Sequence, residues 1–257
     1  MKRSRIPLLT TLALLLFFYV PIIVLVIDSF NGSRFAGTWG GFSVKWYAKL
    51  LQEREIWQAV RNSMVVAVAA TFCSTVIGTC AAFALHSFDT RLQRVHNMLI
   101  YTPLVVPEIL MGISLLLLFI GLKIPLGLFT VFLAHVTFCI SYVAMVVLAR
   151  LQDFDFTLVE AAQDLGASNW ICLRRIVLPL LAPGILAGAL LAFTLSLDDF
   201  VITFFVAGPG ATTLPVLVYS MIKHGATPVI NALSTLLLAV TFAVVVIAQR
   251  LAQEKHT

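Results

Sequence analysis

Charge is what this chain has least of. Asp, Glu, Lys and Arg make up 11% of its 257 residues, against 60% hydrophobic, where a soluble domain is about a quarter charged and about half apolar. A mean hydropathy of +1.01 excludes an ordinary water-facing surface and makes lipid the main solvent. Cysteine is sparse and shows no pairing pattern: Cys73, Cys80, Cys139 and Cys172 have no C-x-x-C spacing, so neither a disulfide framework nor a zinc site is indicated. No H-E-x-x-H, G-x-S-x-G or G-K-[ST] stretch occurs, which removes the zinc-hydrolase, serine-hydrolase and phosphate-loop signatures. The net charge of +5 and pI near 9.2 do not point to nucleic acid, because the basic residues flank apolar runs, where they orient a chain in a bilayer.

What the chain has is apolar length. Runs near 7–28, 60–85, 97–121, 127–149, 180–206 and 229–250 are each long enough to cross about 30 Å of hydrocarbon. The expectation is an all-α integral membrane protein with six transmembrane helices in a single domain, 1–257, without internal repeat. The basic start MKRSRIPLLTTLALLLFFYV resembles a signal peptide, but its apolar run is too long and no small-residue cleavage site follows, so a retained first helix is expected. With the N-terminus inside, Lys2, Arg3, Arg5, Arg91, Arg94, Arg150, Arg174, Arg175, Arg250 and Lys255 fall inside. Arg34, Lys45, Lys49, Arg54, Arg61, Lys123 and Lys223 fall outside. This modest bias places both termini in the cytoplasm. The outer segment carries Trp39, Trp46, Tyr47 and Trp57, as an interfacial stretch does. Its Asn31-Gly32-Ser33 matches a glycosylation sequon, a match too short to carry weight.

One polar element interrupts the grease, a cytoplasmic loop over about 151–178. Thr157-Leu-Val-Glu160 has capping-box spacing, which predicts that the threonine hydroxyl accepts from the Glu160 N–H. Leu158, Ala161, Ala162 and Leu165 form a narrow apolar stripe, and Gly166 is a natural stop for the helix. Ser168 or Asn169 then caps a second short helix, Trp170–Leu178, before Pro179 begins the next span. Periodicity alone leaves two readings open: a stripe resting on lipid headgroups, or a low-profile surface for another protein.

The spacing E-A-A, three residues, G, nine residues, I-x-L-P, met by Glu160, Ala161, Ala162, Gly166, Ile176, Leu178 and Pro179, resembles the EAA loop of ABC importer permeases. The stretches SFNGSRF, HVTFCISYV and FTLSLDDFVITFFVAGPGATTLP extend the likeness over essentially the whole chain, to the spermidine/putrescine (polyamine) permeases. GPGATTLP is similar to the putrescine-type members. The resemblance implies a type I importer (MetI-like) fold in the bacterial inner membrane. It also implies a coupling helix in which Glu160, Ala161, Ala162, Asp164 and Gly166, with Leu178 and Pro179, serve contact with a cytoplasmic ATPase. The implied partners are a homologous second permease, two ATPase copies that bind ATP and magnesium, and a periplasmic polyamine-binding protein. No cofactor and no enzymatic activity are expected in this chain.

Acids inside the predicted spans give a partly separate pointer. Glu108 and the pair Asp198-Asp199 lie within them, with no Lys or Arg at comparable depth. A carboxylate at bilayer centre costs about 2.5–3.5 kcal/mol on insertion scales, so such acids face a pathway or a partner. Counting helical rise puts Glu108 and the aspartates at two depths, which suits a long polyamine. Adjacent positions point about 100° apart, so only one of Asp198 and Asp199 faces a path squarely. Protonated or partner-paired acids are the structural alternative. Tyr142 and His135, seven residues apart on one helix, read either as interior packing or as pathway. Residues 207–215 read as a plain re-entrant turn or as a gate. The nearer alternative is an ABC permease for another small solute, and the rival class is a self-sufficient secondary transporter with the acids as a proton relay.

Overall fold

The structure is a computed structural model that describes residues 6–34, 38–87, 91–224 and 228–254. Lys2, Arg3, Arg5 and Lys255 of the orientation count, and the side chains of Arg91 and Arg250, lie outside the described residues. The described chain is helical: α1 (Ile6–Ser29), α2 (Lys45–Gln52), α3 (Arg54–Ser87), α4 (Arg91–Val105), α5 (Glu108–Gly121), α6 (Leu128–Gln152), α7 (Thr157–Asp164), α8 (Asn169–Cys172), a π segment (Leu173–Val177), α9 (Leu178–Asp198), α10 (Val201–Val206), α11 (Leu214–Lys223) and α12 (Pro228–Glu254).

Two compact units emerge, residues 1–57 with 218–257, and residues 58–217. In the first, α12 packs on α1 and α2. The segment before α2 folds around Asn31, which is 6% exposed. Its amide oxygen accepts the backbone N–H groups of Ser33 and Gly40 at 3.0 and 2.8 Å, and its NH2 donates to the Thr38 carbonyl at 2.8 Å. The Trp46 indole donates to the Asn31 carbonyl at 2.7 Å. The sequon asparagine is therefore an internal turn former.

In the second unit α6 is the axis. Val131, Ala134, Cys139, Val143, Val147 and Leu151 are buried along its length, packed with Val66 and Ala82 of α3, Phe119 of α5, Leu181 and Ala192 of α9, and Ile202 and Val206 of α10. A helix apolar all round belongs in an interior. Close approach rests on glycines: a Cβ on Gly78 would stand 2.8 Å from Val143 Cβ and 2.9 Å from the Ile140 carbonyl.

The expected spans hold in number less well than in place. Leu9–Ser29, Arg54–Ser87, Leu128–Gln152 and Asn169–Asp198 are long and apolar enough to cross a membrane. The predicted span 97–121 is instead α4 and α5, bent by 114°. Pro107 is the reason: it lacks an N–H and disfavours helical geometry at Val106 before it. The helix accordingly ends at the Val106 N–H to Thr102 carbonyl bond and restarts from the Pro107 carbonyl. The predicted span 180–206 is also two pieces. Its helix starts earlier, at Asn169, and stops at Asp198, with α10 following an extended Asp199 (φ −62°, ψ 122°). Of the last span, Pro228–Ala243 is the described apolar part.

Substituting Gly78→Ala drives a methyl into Val143 and the Ile140 backbone, an overpacking that costs about 1–3 kcal/mol. Gly121→Ala, in open space at the end of α5, is the control. Thermal unfolding in detergent is expected to show a lower midpoint for Gly78→Ala alone.

Candidate functional site

The two helix breaks face one another. Gly112 of α5 lies against α10, where an added Cβ would meet the Phe205 ring at 2.7 Å, so α5 and α10 pack closely. Around these breaks lies a cavity of about 280 Å³, and Glu108, Tyr142, Asp198 and Asp199 all line it. The depth count had separated Glu108 from the aspartates by assuming a straight helix. With the chain broken before it, Glu108 becomes the first residue of α5 and joins them. A carboxylate there also suits the positive end of the helix dipole. Pro103, Met111, Phe138, Leu195, Phe200, Val201 and Ile202 complete the wall, which includes no Lys or Arg. Phe138 and Tyr142 meet edge to face at 6.5 Å and 89°, an arrangement their ring quadrupoles favour.

The neighbouring aspartates have different situations. The side chain of Asp199 is 6% exposed. Its Oδ2 accepts from the Thr203 backbone N–H at 2.8 Å and the Thr203 hydroxyl at 2.7 Å, and lies 3.3 Å from His135 Nε2. Its Oδ1 accepts the Ile202 N–H at 3.3 Å. Asp199 thus caps α10, satisfying N–H groups that a helix start leaves open. Asp198 is exposed, lines the cavity, and among the described residues caps no helix start in this way. The two neighbours thus differ in their bonding, Asp199 as the cap of α10 and Asp198 without that role, while both line the cavity. Sequence reasoning did not foresee His135 as the group behind the cap, nor the anchors of the 207–215 turn. The Asn62 amide donates to the Gly210 and Thr212 carbonyls at 3.0 and 2.9 Å, and Ser63 Oγ accepts the Leu214 N–H at 2.8 Å. These partners lie some 150 residues apart in sequence, so no local pattern announces them.

The segment from α7 to α9 departs from expectation at both ends. Thr157 makes no capping box. Asp155 Oδ1 accepts both the Thr157 hydroxyl (2.7 Å) and its backbone N–H (3.0 Å), and the Glu160 N–H goes to the Phe156 carbonyl instead. The Thr157 hydroxyl first, then its N–H, hold the exposed Asp155 carboxyl below the usual aspartate value. Gly166 ends α7 as expected, at φ +89°. The Gly166 N–H bonds the Gln163 carbonyl and the Ala167 N–H bonds the Ala162 carbonyl, the paired bonds of a Schellman turn. Gln163 Nε2 then donates to Asn169 Oδ1 at 2.8 Å, tying α7 to α8.

No separate helix runs from Trp170 to Leu178. That stretch is the start of one 30-residue helix ending at Asp198, and the π segment precedes Pro179, whose missing N–H leaves the Arg175 carbonyl without its usual donor. Leu178 and Pro179 are therefore the first turn of α9. Glu160, Ala161, Asp164 and Gly166 are exposed and Ala162 is half-buried. The face turned inward belongs to Val159, packed on the core with Phe154, while Leu165 is 90% and Trp170 66% exposed.

Residues 74–254 match the family of binding-protein-dependent transport system inner membrane components. The chain belongs to this family. It is 42% identical over 243 residues to the spermidine/putrescine transport system permease PotC of Escherichia coli K12, covering 95% of this chain and 92% of that protein. It is 46% identical over 229 residues to the putrescine transport system permease PotI of the same organism, covering 86% and 82%. Among solved structures, a bacterial ABC transporter that imports the acidic polysaccharide alginate matches with TM-score 0.75 over 96% of this chain and 93% of that one, at 15% identity. The fold is that of an ABC importer permease, and the chain is a multi-pass transport subunit of the inner membrane.

In this permease the cap makes Asp199 the aspartate on which stability rests. Asp199→Ala leaves the α10 N–H groups and Thr203 without an acceptor, a loss of about 1–3 kcal/mol for each buried group orphaned. Asp198→Ala removes an exposed carboxylate. Thermal melting of the two variants is expected to show a clear drop for the first and little change for the second.

Proposed function

We propose that this chain is the permease subunit of an ATP-driven importer of polyamines, forming half of the translocation path. The observation that carries the reading is the acidic cavity with no basic residue in its wall. Two free carboxylates, Glu108 and Asp198, match the ammonium ends of a diamine. Met111, Leu195 and the Phe138–Tyr142 pair match its methylenes and offer aromatic faces to a cation. Asp199, held by its cap, adds a third carboxyl group to the same wall. The names of PotC and PotI support the same substrate class. An anionic solute finds no counter-charge here.

The exposed α7 surface supports coupling. Glu160, Ala161, Ala162, Asp164 and Gly166 present a short, capped, low-profile helix, while Leu165 and Trp170 offer apolar area that a protein cleft covers well. In this reading the segment lies in the cytoplasm, as do both termini. A separate ATPase pair that binds ATP and magnesium grips it, a second homologous permease completes the path, and a periplasmic binding protein delivers the amine. ATP-driven closure then moves α7, and through the 30-residue helix it leads into, the cavity wall at Asp198.

Two tests address the two halves. Glu160→Lys places a cation on the docking surface but outside the core, so the assembled complex is expected to form and to lose most of its substrate uptake. Wild-type uptake by that variant removes the coupling assignment. Glu108→Gln and Asp198→Asn are each expected to raise the half-saturating putrescine concentration about tenfold, the effect of one lost charge-assisted contact. Unchanged uptake curves for both leave the cavity without a substrate role.

A further inference from the structure

His135 is 1% exposed, stands behind the cavity without lining it, and is engaged at both ring nitrogens. Nδ1 lies 2.7 Å from Ser196 Oγ on α9, and Nε2 lies 2.8 Å from Thr203 Oγ1 on α10. The Thr203 hydroxyl hydrogen is committed to Asp199 Oδ2, which leaves the threonine oxygen an acceptor on the side facing His135. Nε2 is therefore the nitrogen that carries a hydrogen toward Thr203, with Asp199 Oδ2 only 3.3 Å away. One side chain of α6 thus bridges the last turn of α9 and the first turn of α10, straddling the break between them.

We propose that His135 is a positioning residue for substrate binding: its bridge from Ser196 to Thr203 and Asp199 holds the α9–α10 break in the form that presents Asp198 to the cavity. The physical reason is the geometry of adjacent aspartates. Residues 198 and 199 fill different roles only while the chain is extended at Asp199. If α9 and α10 join into a continuous helix, Asp199 no longer caps, and the direction of Asp198 changes with it. The break survives because Asp199 has found a full set of donors, and Thr203 keeps its place among them through His135. The same bridge sets the height of α10, and with it α5, since Gly112 packs on Phe205. Glu108, at the start of α5, is placed indirectly by the same means.

This proposal rests on the reading of the cavity as a polyamine path, and its test separates the two. Uptake of radiolabelled putrescine is measured with the assembled importer, quantified by co-purification. His135→Ala is expected to raise the half-saturating concentration about tenfold, the scale of one lost contact to a charged group, with the maximal rate retained. His135→Gln places an amide N–H near the former Nε2 and is expected to restore most of the affinity. His135→Asn reaches only toward Nδ1 and is expected to behave like His135→Ala. A Gln variant no better than the Asn variant overturns the proposal, as does unchanged affinity in the Ala variant. Should His135→Ala fail to assemble, Thr203→Val keeps the side chain's shape and removes the bridging hydroxyl. The same loss of affinity is expected, and wild-type affinity there overturns the bridge. Asp198→Asn and Glu108→Gln are the references: if both leave uptake unchanged the cavity reading itself falls, whereas an impaired Asp198→Asn with unaffected His135 and Thr203 variants removes the positioning role alone.

Discussion

The carboxylate of Asp199 at the start of α10 is the interaction on which this architecture depends. A helix interrupted at membrane depth leaves N–H groups with no water to satisfy them, and a buried carboxylate is costly unless donors surround it. Asp199 answers both demands at once, accepting the N–H groups of Ile202 and Thr203 and the Thr203 hydroxyl beside the His135 ring. Without the break there is no cavity at this level, and without the cap the break has no reason to persist in lipid.

The opposing break has a different chemistry. Pro107 forces α4 and α5 apart by denying a donor and crowding the residue before it, so it needs no side-chain network. A covalent constraint on one wall and a hydrogen-bonded one on the other meet where Gly112 lets α5 and α10 touch. Irregular backbone is tolerated at such depth where it is buried in protein or lines a cavity, and here it does both. The proline break is fixed by the ring. The Asp199 break is held by bonds that an arriving cation or a shift in α9 can bias.

Much of this was legible in the sequence because the signals were local and chemical. Glu108, Asp198 and Asp199 stand out as acids within apolar runs and Tyr142 as the neighbour of His135 on one helix face, and one cavity gathers the four. Gly166 was legible because few residues other than glycine adopt a left-handed stop readily. The failures are equally specific. Hydropathy averages over a window, so the breaks at Val106–Pro107 and Asp199 fall inside two long apolar spans, although Pro103 and Pro107 flanking Glu108 permit a kink that can line a cavity. The T-x-x-E spacing predicted the wrong cap because Asp155, two residues upstream of Thr157, competes for the same hydroxyl. Pro179 looked like a boundary, yet a π segment carries the helix past it. Asn62, Ser63 and His135 act across the fold, and nothing in their own neighbourhoods reports their partners.

The hydrogen bonding at Asp199 also weighs between the two transporter classes. A proton relay needs a carboxyl that gives up and regains its hydrogen without dismantling its surroundings. Protonating Asp199 puts a hydrogen on a group whose oxygens already receive donors from Ile202 and Thr203, so the α10 cap is spent in the act. That leaves Glu108 and Asp198, which face open space and lack the chain of partners a relay requires. A relay also gives no account of α7, a capped helix with Leu165 and Trp170 held out into solvent or headgroups. An importer driven from outside its own chain needs both features: acids fixed in place to meet a cation, and a surface on which a neighbour can push.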